Sequence, residues 1–515
     1  MLREPFTPST GALHHDAELP RSMAFDYACG CENTISLRMP QPGAGLQSQL
    51  ADVVHGSALV QGLGDLTTSL PEFLDQLDAV SLVLLVVTLV AFTVPIFILF
   101  PPIPVERSDA LRQTHSRVGL PPKRTNLRDQ LSPVHRAQSG RPPKVQSLHV
   151  YPIKSCRGIE LARSKVLPSG LEHDRLYTFA QLRTPAPGAG AGPASSSGHQ
   201  QPKPAWEFLT QRQLPLLANV KVDLWVPDAA KTSRQLGVVN DAFLVVRFPW
   251  MDRGPRGLAQ WVTAKMSRGL RAEPEKEFML PISFPDKQEI KARGYTFADV
   301  KIWKDVTFAL NVGTEVPPEL TQYLGVKHRL GLFRMDPSKQ REVFRCAQPE
   351  SVLGYQPAID FQDGYPLHLL SLTSMQDLDT LLLKDETMKG LDARRFRANI
   401  IISGAEKYEE ETWKTINLKH PSTNDECGFD VACRTVRCKL PNVDPSTGIR
   451  HKVEPDRALR KFRDVDEGAP KMGCLGMQLC PMFPPVSTAK ELESYIEVGM
   501  RIDVLKHGSH RYVKS

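Results

Sequence analysis

The run Ala79 to Phe100, AVSLVLLVVTLVAFTVPIFILF, constrains this chain more than any other stretch, because 22 residues pass without a charge between Asp78 and Pro101-Pro102. At about 1.5 Å per residue a helix of that length spans roughly 33 Å, enough for the ~30 Å hydrocarbon layer of a bilayer. A buried helix of a globular core rarely runs so long with no polar residue beyond Ser and Thr. The sequence therefore predicts one transmembrane helix over 79–100, with Pro95 tolerated inside it. Glu72, Asp75 and Asp78 precede the run, whereas residues 107–144 hold nine Lys/Arg against two Asp. That bias puts the C-terminal part on the cytosolic face.

Charge divides the chain in the same way. Residues 1–78 carry a net −7, which leaves +14 for residues 79–515. The first 78 residues mix Gly, Pro, Ser and scattered acids without periodicity and read as a disordered acidic tail, not an acid-poor mitochondrial transit peptide. Residues 101–144 are basic and Pro-rich without a hydrophobic pattern, and read as a tether that can also lie on anionic headgroups. A basic globular part suits an anionic ligand, an acidic protein partner or a membrane surface. None of the nine cysteines forms a Cys-x-x-Cys pair, so neither a zinc nor a ferredoxin site is indicated, and reduced thiols are expected.

Order begins near Val145, and short strand patterns dominate from there. The expected domains are 145–345 and 346–515, in a β-rich α+β fold. Residues 147–153 alternate as a strand and break at Lys154-Ser155-Cys156-Arg157-Gly158, a candidate anion cradle. Strand patterns follow at 175–182, 220–226 and 243–248, with a helix around 258–266 and a low-complexity insert over 184–205. In the second domain, Leu367 to Ser371 reads as a strand and Ser374 with Asp377 as a helix start. Arg394, Arg395 and Arg397 precede the run Ile400-Ile401-Ile402 and form either a solvated edge or a second anion grip. Cys438 stands between Arg437 and Lys439, which favour its thiolate, and the turn formers Asn442 to Gly448 leave it at the mouth of a loop. The competing reading of Cys438 is a small buried hydrophobe beside a surface turn.

Six stretches in order resemble the MOSC superfamily, and within it the membrane-anchored amidoxime reducing components. They are Tyr151 to Gly158, Asp174-Arg175, Thr210-Gln211-Arg212, Asp363-Gly364-Tyr365-Pro366, Phe396 to Ile400, and Arg437-Cys438 with Val443 to Gly448. The resemblance implies an N-terminal MOSC-type β-barrel lobe and a C-terminal MOSC β-barrel lobe, with a molybdenum cofactor at their junction. It implies Cys438 as the protein thiolate on the metal and Lys154, Ser155, Arg175, Arg397 and Asn399 around the pterin and its phosphate. Arg437 would sit beside the ligand, and Asp363 near the metal's oxygen ligands, where it could manage a proton. Ala398 stands where relatives often have proline, and 184–205, 251–300 and 421–430 look inserted.

By resemblance the activity is reduction of N-hydroxylated compounds, amidoximes and hydroxylamines, at a mitochondrial outer membrane facing the cytosol, with the endoplasmic reticulum as the alternative. A molybdenum cofactor carrier or sulfur-transfer module is the rival reading; the pyridoxal-phosphate domain that precedes the MOSC part of cofactor sulfurases has no room here. No iron–sulfur spacing and no Gly-x-Gly-x-x-Gly between strand and helix offers an electron entry of the chain's own. The resemblance then implies cytochrome b5, fed by its NADH-dependent reductase, as donor. No nucleic acid partner is implied.

Overall fold

Residues 78–99, 107–184, 204–231, 241–483 and 492–513 are described by a computed structural model, in two units, 1–100 and 101–515. In the first unit, Ala79–Leu99 is an α-helix of 21 residues with Pro95 inside. The Thr88 and Thr93 hydroxyls donate to the carbonyls of Leu84 and Leu89, each at 2.7 Å, so neither polar group is left unmatched. Among the described residues no helix is long and apolar enough to cross a membrane; the side chains of this one are described only from Ala79 to Pro95. The tail 1–77 and the insert residues 185–203 lie outside the described residues.

The second unit holds two β-barrel lobes. The larger sheet runs Ile400–Ser403, Leu367–Ser371, Cys474–Met482, Glu426–Val436, Trp413–Lys419, Arg501–His507, Lys144–Val150 and Ile159–Leu161. It closes on itself, because Lys144–Val150 also pairs with Ile400–Ser403, Leu148 lying opposite Ile400. The continuous run Ile400-Ile401-Ile402 suits a strand buried on both faces, and all three side chains are fully buried. The smaller lobe is a closed barrel of Thr296–Ile302, Asp305–Asn311, Leu330–Arg334, Tyr177–Arg183 and Ala205–Phe208. A four-stranded sheet, His115–Val118, Lys221–Pro227, Phe243–Pro249 and Glu275–Pro281, accompanies it.

Three expectations need correction. The strand at 144–150, assigned to the first lobe by sequence order, belongs to the second sheet, so the lobes share their chain across the boundary drawn at 345. Alternation fixes which face of a strand is buried, not which strand it pairs with. The described part of the tether is docked: His115–Val118 pairs with Lys221–Pro227, and Leu111 and Leu127 are buried. Backbone pairing orders this segment where its side-chain pattern gave no sign of it. Finally, Ser371 and not Ser374 caps the helix Leu372–Thr380.

Ser374 lies buried inside that helix, where its hydroxyl donates to the Glu410 carboxylate at 2.9 Å. Burial pushes the Glu410 carboxyl up to about 7, above its unfolded value of ~4.3. Its stabilising contribution is therefore complete below pH ~4.3 and lost as pH rises through about 7, a swing of roughly 4 kcal/mol. Urea unfolding of the native chain should weaken between pH 5 and 8, and Glu410→Gln should flatten that part of the slope.

Candidate cofactor cleft between strand ends

The first strand of the larger sheet ends at Val150, and the chain turns through Tyr151-Pro152-Ile153 to deliver Lys154 and Ser155. The Lys154 amide donates to Tyr177 O at 2.8 Å, which ties this loop to the smaller barrel. Its buried ammonium donates to Phe361 O at 2.6 Å and to the Asp363 carboxylate at 2.7 Å. Burial pulls the Lys154 ammonium down to about 8, although Asp363 opposes the shift. Burial in the cleft would raise the Asp363 carboxyl, but Lys154 and the Trp303 indole N–H, 2.9 Å away, outweigh it and hold the acid well below the usual range. The cleft is open there, and the Asp363 side chain keeps 64% of its surface accessible. Asp363 is thus an anion at neutral pH, which argues against the proton-managing role that the resemblance assigned to it.

Three of the expected ligand-holding residues, Ser155, Arg175 and Arg397, occupy positive φ at 69°, 52° and 54°. Such a conformation is uncommon for residues other than Gly and concentrates at sites where backbone direction matters. The Arg175 and Arg397 guanidiniums lie 4.5 and 4.1 Å from the centre of the Tyr151 ring. Arg175 Nη2 also donates to Arg397 O at 3.0 Å, and Arg397 Nη1 donates to Cys156 O at 2.7 Å. Burial brings the Arg397 guanidinium down to about 10, which leaves it charged at neutral pH. Asn399 lines the same cleft, but its amide accepts from His368 N and donates to His149 O, each at 3.2 Å. Its side chain braces two strands.

Strand Glu426–Val436 carries the last component. Arg437 follows it, its amide donating to Gly473 O at 2.8 Å and its Nη2 to Phe396 O at 2.9 Å. Cys438 comes next, half-buried and lining the cleft, ahead of the helical turn Leu440–Asn442. Burial pushes the thiols of Cys427 and Cys474 up to about 12, and Cys433 and Cys480 also sit above the ordinary range. Cys346 is half-buried too, but it does not line the cleft.

About 870 Å³ of space, part of it open to solvent, lies between these residues. Among the described residues, five lining atoms are buried and have no protein partner: Gln362 Oε1, His368 Nε2, Arg397 Nη2, Thr435 Oγ1 and Arg437 Nε. Buried polar groups are normally satisfied, so five in one cleft mark a surface prepared for a polar ligand. Burial, then Arg437, keep the His368 imidazole neutral.

Sequence reasoning missed His368 and Trp303. His368 is the polar residue in the otherwise apolar Leu367 to Leu370, and that interruption was its signal. Trp303 stands between the antiparallel strands Thr296–Ile302 and Asp305–Asn311 at φ 57°, with Arg212 stacked 4.2 Å from its ring centre. Only its position in so short a turn hinted at it. Among the resembling stretches, Val443 to Gly448 and Arg157 do not line this cleft.

Comparisons with known proteins agree with this layout. A family model described as the MOSC N-terminal beta barrel domain matches residues 142–253, and one described as the MOSC domain matches 356–502. The chain is 26% identical over 361 residues to a rat protein named mitochondrial amidoxime reducing component 2, covering 68% of this chain and 80% of the relative. The human protein of the same name is 22% identical over 66% of this chain and 77% of its own length. The human mitochondrial amidoxime-reducing component 1 is 30% identical over 27% of this chain and 36% of its own length. Two barrel lobes, a shared polar cleft and two family matches in chain order lead to one conclusion: the chain carries a MOSC N-terminal beta barrel domain followed by a MOSC domain.

Proposed function

We propose that the chain is a molybdenum-cofactor-dependent reductase of N-hydroxylated compounds, taking R–NHOH with two electrons and two protons to R–NH₂ and water. The observation that carries this reading is one half-buried thiol, Cys438, in a cleft with five cations and, among the described residues, five unpartnered buried polar atoms. A pyranopterin dithiolene fits that donor set: the soft thiolate suits the metal, the guanidiniums suit the phosphate, and the unpartnered atoms suit a heterocycle rich in donors and acceptors. Bound there, the cofactor supplies a two-electron couple able to take the oxygen of an N–OH group.

The chain's own side chains do the rest. Cys438 would hold the metal, Lys154, Ser155, Arg175 and Arg397 the pterin phosphate, and Arg437 the adjoining edge. Asn399 keeps His368 and the cleft floor in register. Lys154, with its ammonium near 8, holds the exchangeable proton of the Lys154–Asp363 pair, and anionic Asp363 orients it. The reading is tested by reduction of benzamidoxime with a reducing dye, alongside molybdenum content. Protein from a molybdenum-replete host that carries less than about a tenth of an equivalent and leaves benzamidoxime unreduced would refute it.

Trp303 and Arg212 stand at the mouth of this cleft, so Trp303→Ala should widen it. We expect kcat/KM for bulky aromatic amidoximes to rise relative to small hydroxylamines by about threefold to tenfold, read by competition between the two. Loss of the indole N–H should leave Asp363 anionic through Lys154.

The chain is further proposed to sit on a membrane, its catalytic part facing the cytosol, by way of helix Ala79–Leu99. Twenty-one uncharged residues rise about 31 Å as a helix, which supports a crossing. The mitochondrial names of the relatives favour the mitochondrial outer membrane. Deletion of residues 1–100 should move the protein from the carbonate-resistant membrane fraction to the supernatant without loss of dye-driven turnover. Electrons would come from cytochrome b5 and its NADH-dependent reductase, since the +14 charge of residues 79–515 suits an acidic donor. NADH-driven turnover independent of the haem protein at every ionic strength would exclude that donor.

A further inference from the structure

The two anion grips read from the sequence are divided between two clefts. Lys154, Ser155 and Arg397 line the cleft described above, while Arg157, Arg394 and Arg395 line a second, solvent-open one of about 2130 Å³ that shares only Arg397 with it. Ten Arg and Lys side chains line this second cleft against three carboxylates, so its field is strongly positive. The carboxylates do not neutralise it evenly. Asp223 is taken by Arg117 at 3.4 Å and by Arg247, and Glu275 by Lys221 at 2.5 Å and Arg268 at 2.8 Å. Glu160 accepts from Thr125, Asn126 and Ser147.

The opposite wall has a different character. Arg157 Nη2 donates to Ser446 O at 3.2 Å and Arg397 Nη1 to Cys156 O at 2.7 Å, both neutral carbonyls. Neither guanidinium pairs with a carboxylate among the described residues. Arg157 Nε and Arg395 Nε are buried without a protein acceptor among the described residues, although Arg395 Nη2 pairs with the Asp444 carboxylate at 2.7 Å. Arg394 is ion-paired with Asp392 at 2.6 Å and also donates to Ser446 Oγ at 3.2 Å. Buried guanidinium forks at a concave surface are the arrangement that recognises phosphate bidentately.

We propose that this second cleft binds a small phosphorylated molecule carrying at least two negative charges, independently of the cofactor cleft. The phosphate groups can belong to a soluble compound or to a lipid headgroup, and the two share this chemistry.

The test is calorimetric titration of the full chain with inorganic pyrophosphate at 0.15 M salt and pH 7. Saturable binding with Kd below about 1 mM is expected. The double variant Arg157→Gln, Arg394→Gln should weaken it at least tenfold with molybdenum content unchanged, while Lys154→Met should retain it. If the double variant does not fold, Arg128→Gln, whose guanidinium holds only the Lys123 carbonyl among its described hydrogen bonds, should weaken binding two- to threefold. Displacement of pyrophosphate by phosphoinositide vesicles and not by phosphatidylcholine vesicles assigns a lipid headgroup; its absence assigns a soluble ligand, and the site stands in both cases. No saturable heat, undiminished binding in the folded variants, or loss of binding in Lys154→Met would overturn the proposal.

Discussion

Cys438→Ser should cost at least a hundredfold in dye-driven turnover while leaving the thermal unfolding midpoint within a few degrees. A hydroxyl matches the thiol in size but does not replace a soft thiolate on molybdenum. The fold should survive, because Cys438 sits half-exposed between a strand end and a helical turn and fills no core position. Cys433→Ser provides the contrast. Its thiol is fully buried in a cluster with Tyr355, Tyr365 and Cys480, so that change should lower stability by about 1–2 kcal/mol and leave kcat nearly intact. An inactive Cys433→Ser beside an active Cys438→Ser would show that the wrong sulfur had been chosen. Molybdenum content measured on both variants separates loss of the metal from loss of chemistry.

The second large effect concerns Lys154 and pH. Its ammonium titrates near 8 instead of near 10.5 because burial disfavours the charge, and Asp363 only partly restores it. The cleft therefore carries this positive charge below pH 8 and loses it above. Retention of an anionic ligand should be level up to about pH 7.5 and then weaken by up to tenfold per pH unit, as read by molybdenum content after dialysis at each pH. Lys154→Met should be weakened at every pH, by tenfold or more, and should lose the break near 8. Lys154→Arg should also lose the break while keeping part of the affinity, since a guanidinium does not titrate in this range. A wild-type profile without a break between pH 7 and 9.5 would remove Lys154 from the anion-holding set.

What could be read from the sequence was whatever depends on neighbours along the chain. Leu367 to Ser371 is a strand as its composition indicates, and Cys438 stands at the end of a strand before turn formers, as its surroundings imply. The resembling stretches named Lys154, Ser155, Arg175, Asp363, Arg397, Asn399, Arg437 and Cys438, and all eight line one cleft. What could not be read depends on distant partners. Asp363 reads as a turn former until Lys154 and Trp303, 209 and 60 residues away, are placed against its carboxylate. Arg157 and Lys154 are three residues apart, yet they line different clefts. The docked tether likewise takes its order from strand Lys221–Pro227, about which its own residues say nothing.

The closure of the larger barrel has a consequence for the birth of the protein. Strand Lys144–Val150 leaves the ribosome early and can pair at once with Ile159–Leu161, yet its other partners are Ile400–Ser403 and, through Lys144, Arg501. At roughly 5–20 residues per second, the strand waits from about a quarter of a minute to more than a minute for the last of them. Throughout that interval an apolar ribbon with Val145, Leu148 and Val150 on it is a ready template for a wrong neighbour. Synthesis of this chain should therefore depend on a holding chaperone, and the half-made protein, more than the finished one, should be where aggregation begins.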